Sequence, residues 1–228
     1  ISNIKSSNGI TIDNHSPLAG FVFDGLNAQE LEYASSIDSI SGRWTGFIDT
    51  LSGIESYDYS IGTYLDTTQI IDWISIDDTF IIMHNLDLRN DSTYFLSVRA
   101  LDSAGNISMI SRSNGLTIDT ENPTNGLVYD GVETDQDWNN STTSLSGGWR
   151  GFSDQGSGIK NYEFCVGTSP YFDNTIGWQN IGLDSNFAIN DLSLQSGTSY
   201  FITLKVIDNA DNFRISISDG LTIDNISP

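Results

Sequence analysis

The sequence predicts an all-β protein made of two tandem seven-stranded antiparallel β-sandwiches, with one extra strand at the N-terminus. Three observations predict it. One phrase occurs three times, as Asn8-Gly9-Ile10-Thr11-Ile12-Asp13, Asn114-Gly115-Leu116-Thr117-Ile118-Asp119 and Asp219-Gly220-Leu221-Thr222-Ile223-Asp224. Between the copies, apolar residues recur with period two, the signature of half-buried strands. Turn-forming clusters such as Asp49-Thr50-Leu51-Ser52-Gly53 and Asp102-Ser103-Ala104-Gly105-Asn106 separate these runs, and no segment carries a helical stripe.

The spacing of the phrase identifies the repeating unit. Its copies begin at residues 8, 114 and 219, and the landmarks between them return in the same order. Asp24-Gly25 matches Asp130-Gly131, Trp44 matches Trp149, and Ser52-Gly53-Ile54 matches Ser157-Gly158-Ile159; Trp73 matches Trp178 and Tyr94 matches Tyr200. A period of about 105 residues exceeds the ~20–50 of a solenoid repeat and suits a whole small domain.

The chain therefore divides into residues 1–13, the last strand of a preceding module, then module 1 at 14–121 and module 2 at 122–228. Residues 1–9 align with residues 107–115, which is why the N-terminus reads as a strand without its own module. Such a strand is expected to fray, to pack on module 1, or to pair with the sheet edge of another chain. Inside each module, Tyr57, Tyr59 and Ile61, like Tyr162, Phe164 and Val166, alternate with polar neighbours; Tyr94, Leu96, Val98 and Ala100 do the same. About seven strands in about 105 residues indicate a sandwich. The connection Asp119-Thr120-Glu121-Asn122-Pro123 lacks the Gly/Ser richness of a flexible linker, so it is expected to be stiff.

The landmarks resemble the fibronectin type III family, an immunoglobulin-like sandwich. They are a Trp on the second strand, alternating Tyr and apolar residues on the third, and Leu86-x-Leu88 leading to Tyr94-x-x-x-Val98-x-Ala100, which reappears as Leu192-x-Leu194 leading to Tyr200 and Val206. The resemblance spans nearly the whole chain. It implies that Tyr94 and Tyr200 are tyrosine-corner residues whose hydroxyls bond nearby backbone, and that Trp44 and Trp149 fill the space between sheets. Trp73, Trp178 and the Asp-Gly pairs depart from the general family pattern and point to a subgroup in long extracellular and surface proteins.

Composition narrows the function. With 30 acidic against 9 basic residues and a formal charge of −21, the chain repels polyanions, so nucleic acid is not expected as a partner. No apolar run reaches the roughly 20 residues of a membrane span, and the first residues lack a signal-peptide design. Cys165 is the only cysteine, on the strand face opposite Phe164 and Val166, where it is expected to be exposed as a free thiol, with an intermolecular disulfide as the alternative. His15 and His84 occupy non-equivalent positions, so neither a histidine triad nor a histidine metal site can recur in both modules. With no phosphate-cradling loop and no metalloprotease motif either, no enzymatic activity is expected.

Three sets of candidate site residues remain. In an up-and-down tracing, the loops after the second, fourth and sixth strands share the end at which the chain enters a module. That places Asp119 and Glu121 near Asp154, Asp208 and Asp211, with Asp24 or Asp91 of the previous module as further candidates; Asp13, Asp49 and Asp102 are the equivalents in module 1. Such oxygen clusters suit Ca2+ at module junctions, although Asp in turns also closes backbone loops unaided. Trp73 and Trp178 are either stacking platforms for a sugar or covers of the sandwich edge. Sequons at Asn14, Asn90, Asn106, Asn139, Asn140 and Asn225 are candidate glycosylation sites if the chain passes a eukaryotic secretory route.

The expected function is that of a non-catalytic structural or adhesive segment of a long extracellular or cell-surface protein. It would contact neighbouring modules, identical subunits or other surface proteins. The alternative is a carbohydrate-binding or enzyme-appended module using Trp73 and Trp178.

Overall fold

Alternation along the longest strands sets the two-layer architecture. The computed structural model of the chain describes residues 5–64 and 68–227 and contains no helix among them. In the first sandwich the strands are β1 (Phe21–Asp24), β2 (Tyr33–Ala34), β3 (Ile40–Thr45), β4 (Ile54–Gly62), β5 (Ile71–Ile76), β6 (Phe80–Met83), β7 (Thr93–Asp102), β8 (Ser111–Arg112) and β9 (Leu116–Ile118). The second has β10 (Leu127–Asp130), β11 (Trp138–Asn139), β12 (Leu145–Arg150), β13 (Ile159–Gly167), β14 (Ile176–Asn180), β15 (Asn186–Ile189), β16 (Ser199–Asp208), β17 (Phe213–Ile217) and β18 (Leu221–Ile223). One compact unit ends at Ile118 and the other begins at Asp119, with the short segment Tyr33–Ser35 grouped with the second.

Each sandwich sets a three-stranded sheet, ordered β1-β3-β6 or β10-β12-β15, against a larger one. The larger sheets run β2-β9-β7-β4-β5 with β8 beside β7, and β11-β18-β16-β13-β14 with β17 beside β16. The long pairs β4–β7 and β13–β16 are antiparallel, and both carry a register shift at the same place, between Ile54 and Ser56 and between Ile159 and Asn161. Equivalent residues thus build equivalent irregularities, which is what a duplicated module requires.

The core repeats residue for residue. Trp44 and Trp149 are 3% and 2% exposed, and Tyr94, Leu96, Val98 and Ala100 are buried like Tyr200, Ile202, Leu204 and Val206. Both tyrosine corners form as expected: the Arg89 N–H donates to the Tyr94 hydroxyl at 3.0 Å and the Gln195 N–H to the Tyr200 hydroxyl at 2.9 Å. The ring stays in the core while its one polar atom is satisfied by backbone, so a buried tyrosine carries no desolvation penalty there.

Among the described residues the N-terminal copy of the repeated phrase forms no strand, as fraying of a strand without its own module would leave it. Residues 1–4 lie outside the described residues, and residues 5–13 form no strand. Ile10 and Ile12 are 92% and 85% exposed, whereas Leu116 and Ile118, like Leu221 and Ile223, are at most 2% exposed. The reason is the partner. β9 and β18 pair antiparallel with β7 and β16, the long strands of the sandwiches they complete, and a lone strand has no such edge to close its backbone hydrogen bonds.

Cys165 departs from expectation, being fully buried. The segment after β13 folds over the outer face of the sheet: the Tyr171 N–H donates to Thr203 Oγ1 at 3.0 Å, and the Cys165 thiol lies 3.6 Å from the Phe172 carbonyl. Burial raises the thiol to about 11, so it stays protonated at neutral pH and unfit for intermolecular disulfide exchange.

Candidate metal centres

Two carboxylate triads stand at equivalent places in the two units. Asp13, Asp49 and Asp102 form one, and Asp119, Asp154 and Asp208 the other; within each, one ligand oxygen per residue lies within 4.8 Å of the others. Each triad takes one residue from the segment preceding the first strand, one from the loop before β4 or β13, and one from the end of β7 or β16. The turn sequences dictate this grouping. Asp49 Oδ1 accepts the N–H groups of Ser52 and Gly53, both at 2.8 Å, and Asp154 Oδ1 accepts those of Ser157 and Gly158, also at 2.8 Å. Asp102 Oδ1 accepts from Ala104 and Asn106 N–H, and Asp208 Oδ1 from Ala210 and Asn212 N–H.

A conserved-by-duplication asparagine locks the third carboxylate to the first. The Asn106 side-chain amide donates to Asp102 Oδ2 at 2.8 Å and to the Asp13 carbonyl at 3.2 Å; Asn212 does the same to Asp208 Oδ2 and the Asp119 carbonyl. Asp13 Oδ1 accepts the His15 N–H and Asp119 Oδ1 the Glu121 N–H, but Asp13 Oδ2 and Asp119 Oδ2 are buried without a hydrogen-bond partner. Asp119 is fully buried, and the Asp13 side chain is 2% exposed. Gly156 permits the close packing around Asp119, since a Cβ there would meet the carboxyl carbon at 2.6 Å.

Electrostatics within the triads follow from these bonds. Burial raises Asp208, opposed by the Asn212 bonds and reinforced by the charge of Asp119. Asp102 feels desolvation as its largest single influence, yet its bonds from Asn106, Ala104 and Gly105 together lower it. The Gly53 N–H is the main cause of the lowering at Asp49, while Asp102 pushes it the other way. Among the described residues, no lysine or arginine pairs with either triad; His15 Nδ1 lies 3.8 Å from Asp13 Oδ1 on an exposed ring.

The other expected ligands lie outside the triads. Glu121 is exposed and contributes its backbone N–H alone, and Asp211 is exposed with its carboxylate on Lys160. Asp24 sits where its carboxylate accepts the Gly115 N–H, and Asp91 donates its N–H to the Ile118 carbonyl. A third group, Asp130 with Asp135 and Asp219, is not duplicated, because Asn114 stands where Asp219 does. Its centre is a buried acid. Burial raises Asp130 to about 7, and its counterpart Asp24 to about 6, each held by the N–H of Gly220 or Gly115, glycines at φ +103° and +106°. Only glycine adopts that backbone without strain. In the sequence Asp24 and Asp130 stand out as repeated landmarks, and Asp24 as a further candidate ligand, but nothing in the spacing reports that both acids are buried.

The two tryptophans differ in setting. The Trp73 ring carries the Arg99 guanidinium 4.4 Å from its centroid, and Arg99 is bonded to Asp58. Trp178 is 43% exposed, and the residue matching Arg99, Lys205, lies over Phe213 instead. Among the sequon asparagines, Asn14, Asn140 and Asn225 are exposed and Asn90 and Asn139 half-buried. The Asn106 amide is committed to Asp102 and Asp13, so a glycan there would forfeit both bonds.

No protein-family model matches the chain, and no curated protein is significantly similar to it. Many solved structures share its fold. Domains A168-A170 from titin superpose with a TM-score of 0.55 at 15% identity, over 91% of this chain and 66% of that one. The fibronectin(III)-like modules of Clostridium thermocellum CbhA (TM-score 0.49, 13% identity, 90% of this chain and 94% of that one) and the FN1-FN3 domains of chicken CNTN1 (0.47, 13%, 90% and 67%) are also similar. The titin superposition shows the fold, tandem β-sandwich modules.

Proposed function

We propose that this pair of fibronectin type III-like modules is a non-catalytic repeat segment of a long extracellular or cell-surface protein, acting as a spacer and as a surface for protein contact. The observation that carries the reading is the duplication. The cores, tyrosine corners, register shifts and loop carboxylates recur as pairs, so whatever the module does is done by repetition. A catalytic centre has no need of a second copy a module away, whereas a spacer gains length from each copy. The strong negative charge keeps such a segment soluble and discourages collapse onto anionic surfaces. Neighbouring modules or identical subunits are its natural contacts.

The carbohydrate reading draws on the 43% exposure of Trp178, but Trp73 is capped by Arg99, so the two modules do not present the same platform. Two measurements test the proposal. Antibodies to the chain are expected to label unpermeabilised cells of the source organism, and labelling only after permeabilisation would contradict a surface location. On a glycan array the chain is expected to show no signal that Trp178→Ala removes; a signal lost in that variant, with melting unchanged, would favour the carbohydrate module.

A further inference from the structure

The structure assigns to each compact unit a calcium-binding site built on its carboxylate triad: Asp13, Asp49 and Asp102 in the first unit, and Asp119, Asp154 and Asp208 in the second. Hydrogen bonds account for both oxygens of Asp102 and Asp208 and for one oxygen of Asp49 and Asp154, but they leave one oxygen of Asp13 and of Asp119 without a partner. Asp13 Oδ2 and Asp119 Oδ2 are buried with no donor facing them, within a group carrying three formal negative charges. A buried anionic oxygen without a partner is costly, and it recurs at both equivalent positions, so it is a property of the module and not an accident of one loop.

The chemistry of the donors selects the cation. All three side chains offer oxygen only, which excludes a preference for zinc or copper and favours a hard ion. Carboxylates held by their own turns, in a group open to water on one side, suit the flexible six- to eight-fold coordination of calcium better than the near-ideal octahedron of magnesium, which dehydrates reluctantly. Asp49 and Asp154 are half-buried, which leaves a path for the ion and for waters that complete its six to eight ligands. The asparagine clamps already hold the Asp13 and Asp119 backbone against Asp102 and Asp208, so the site is largely formed before the ion arrives. Bound calcium would tie the segment leading into each module to two of its loops.

This inference rests on the carboxylate geometry and not on the spacer role, so its failure would leave that reading standing. The test is calorimetric titration of the full chain, stripped with chelator, against CaCl2 and separately MgCl2. Two calcium ions per chain are expected, with magnesium at least about tenfold weaker, and calcium is expected to raise the melting midpoint. Asp154→Asn retains the oxygen that closes its turn while losing the charge, so it is expected to reduce the count to one, as is Asp49→Asn; the double variant is expected to bind none. Asp211→Asn, outside the triad, is expected to bind two. Should one variant fail to fold, the other asks the same question in the other module. The absence of saturable calcium binding up to about 10 mM, beyond the range of weak extracellular modules, would overturn the assignment. So would two sites persisting in the folded double variant.

Discussion

Trp149→Ala is expected to destabilise module 2 by about 3–5 kcal/mol, a large part of the stability of a domain this size. The melting midpoint of that module should fall by roughly 15–30 °C. The indole is 2% exposed and meets the rings of Tyr162 and Phe164 at centroid distances of 5.7 and 6.0 Å, with Phe164 stacked in turn on Phe187. Its removal therefore opens a cavity at the centre of an aromatic cluster that relaxes poorly. Trp149→Phe is expected to cost far less than its volume change implies, because the Trp149 Nε1 is buried without a partner and its loss removes an unsatisfied donor. Trp44→Ala should do the same to module 1, where Trp44 packs on Tyr57 and Tyr59. Scanning calorimetry of each variant is expected to show one transition displaced and the other kept. Equal displacement of all the unfolding heat would show that the modules do not melt as units.

The second large effect is a pH dependence centred on Asp130. In the unfolded chain its carboxyl ionises near 3.8; in the fold burial raises it to about 7, with Asp135 and Asp219 adding repulsion and the Ser218 hydroxyl and Gly220 N–H opposing. The folded state therefore holds its proton while the unfolded state has lost it. The stabilisation of the neutral acid is fully present below pH ~4, is lost as pH rises to about 7, and then levels off. At 1.36 kcal/mol per unit the loss is on the order of 4 kcal/mol. Asp24, raised to about 6, gives module 1 a smaller loss that ends earlier. Asp49 and Asp102, both lowered, act in the opposite sense in that module, their contribution disappearing as pH falls. Asp130→Asn keeps an acceptor for Gly220 without the ionisation, so the variant and the parent should melt alike near pH 4 and diverge progressively to pH 7, the variant being the more stable. Melting curves that run parallel across that range would show that Asp130 is not the responsible group.

Much of this was legible in the sequence, and the reasons differ by element. Strands and core were legible because period-two alternation reports burial directly, as along Tyr94, Leu96, Val98 and Ala100. The grouping of Asp119 with Asp154 and Asp208 was legible from strand order, which fixes the loops that share an end. Side-chain direction was not, so Glu121 and Asp211 looked equivalent to their neighbours although one points to solvent and the other takes Lys160. The burial of Cys165 was hidden for another reason. Alternation reports which side of a sheet a residue faces, and it says nothing of an irregular segment that covers the outer side, as the stretch around Tyr171 and Phe172 does. The exposed Ile10 and Ile12 mark the converse, a strand sequence with no edge to complete.

The chain is built as two copies of one module, and each is expected to unfold as a unit. Stretching the full chain by its ends in a single-molecule force experiment tests it most directly. At about 3.5 Å per extended residue, each module of about 105 residues should release roughly 330 Å of contour length after its folded span is subtracted. The expected record is two separate unfolding events of that size per chain. A single event of about twice the length, or a gradual extension without discrete events, would contradict it.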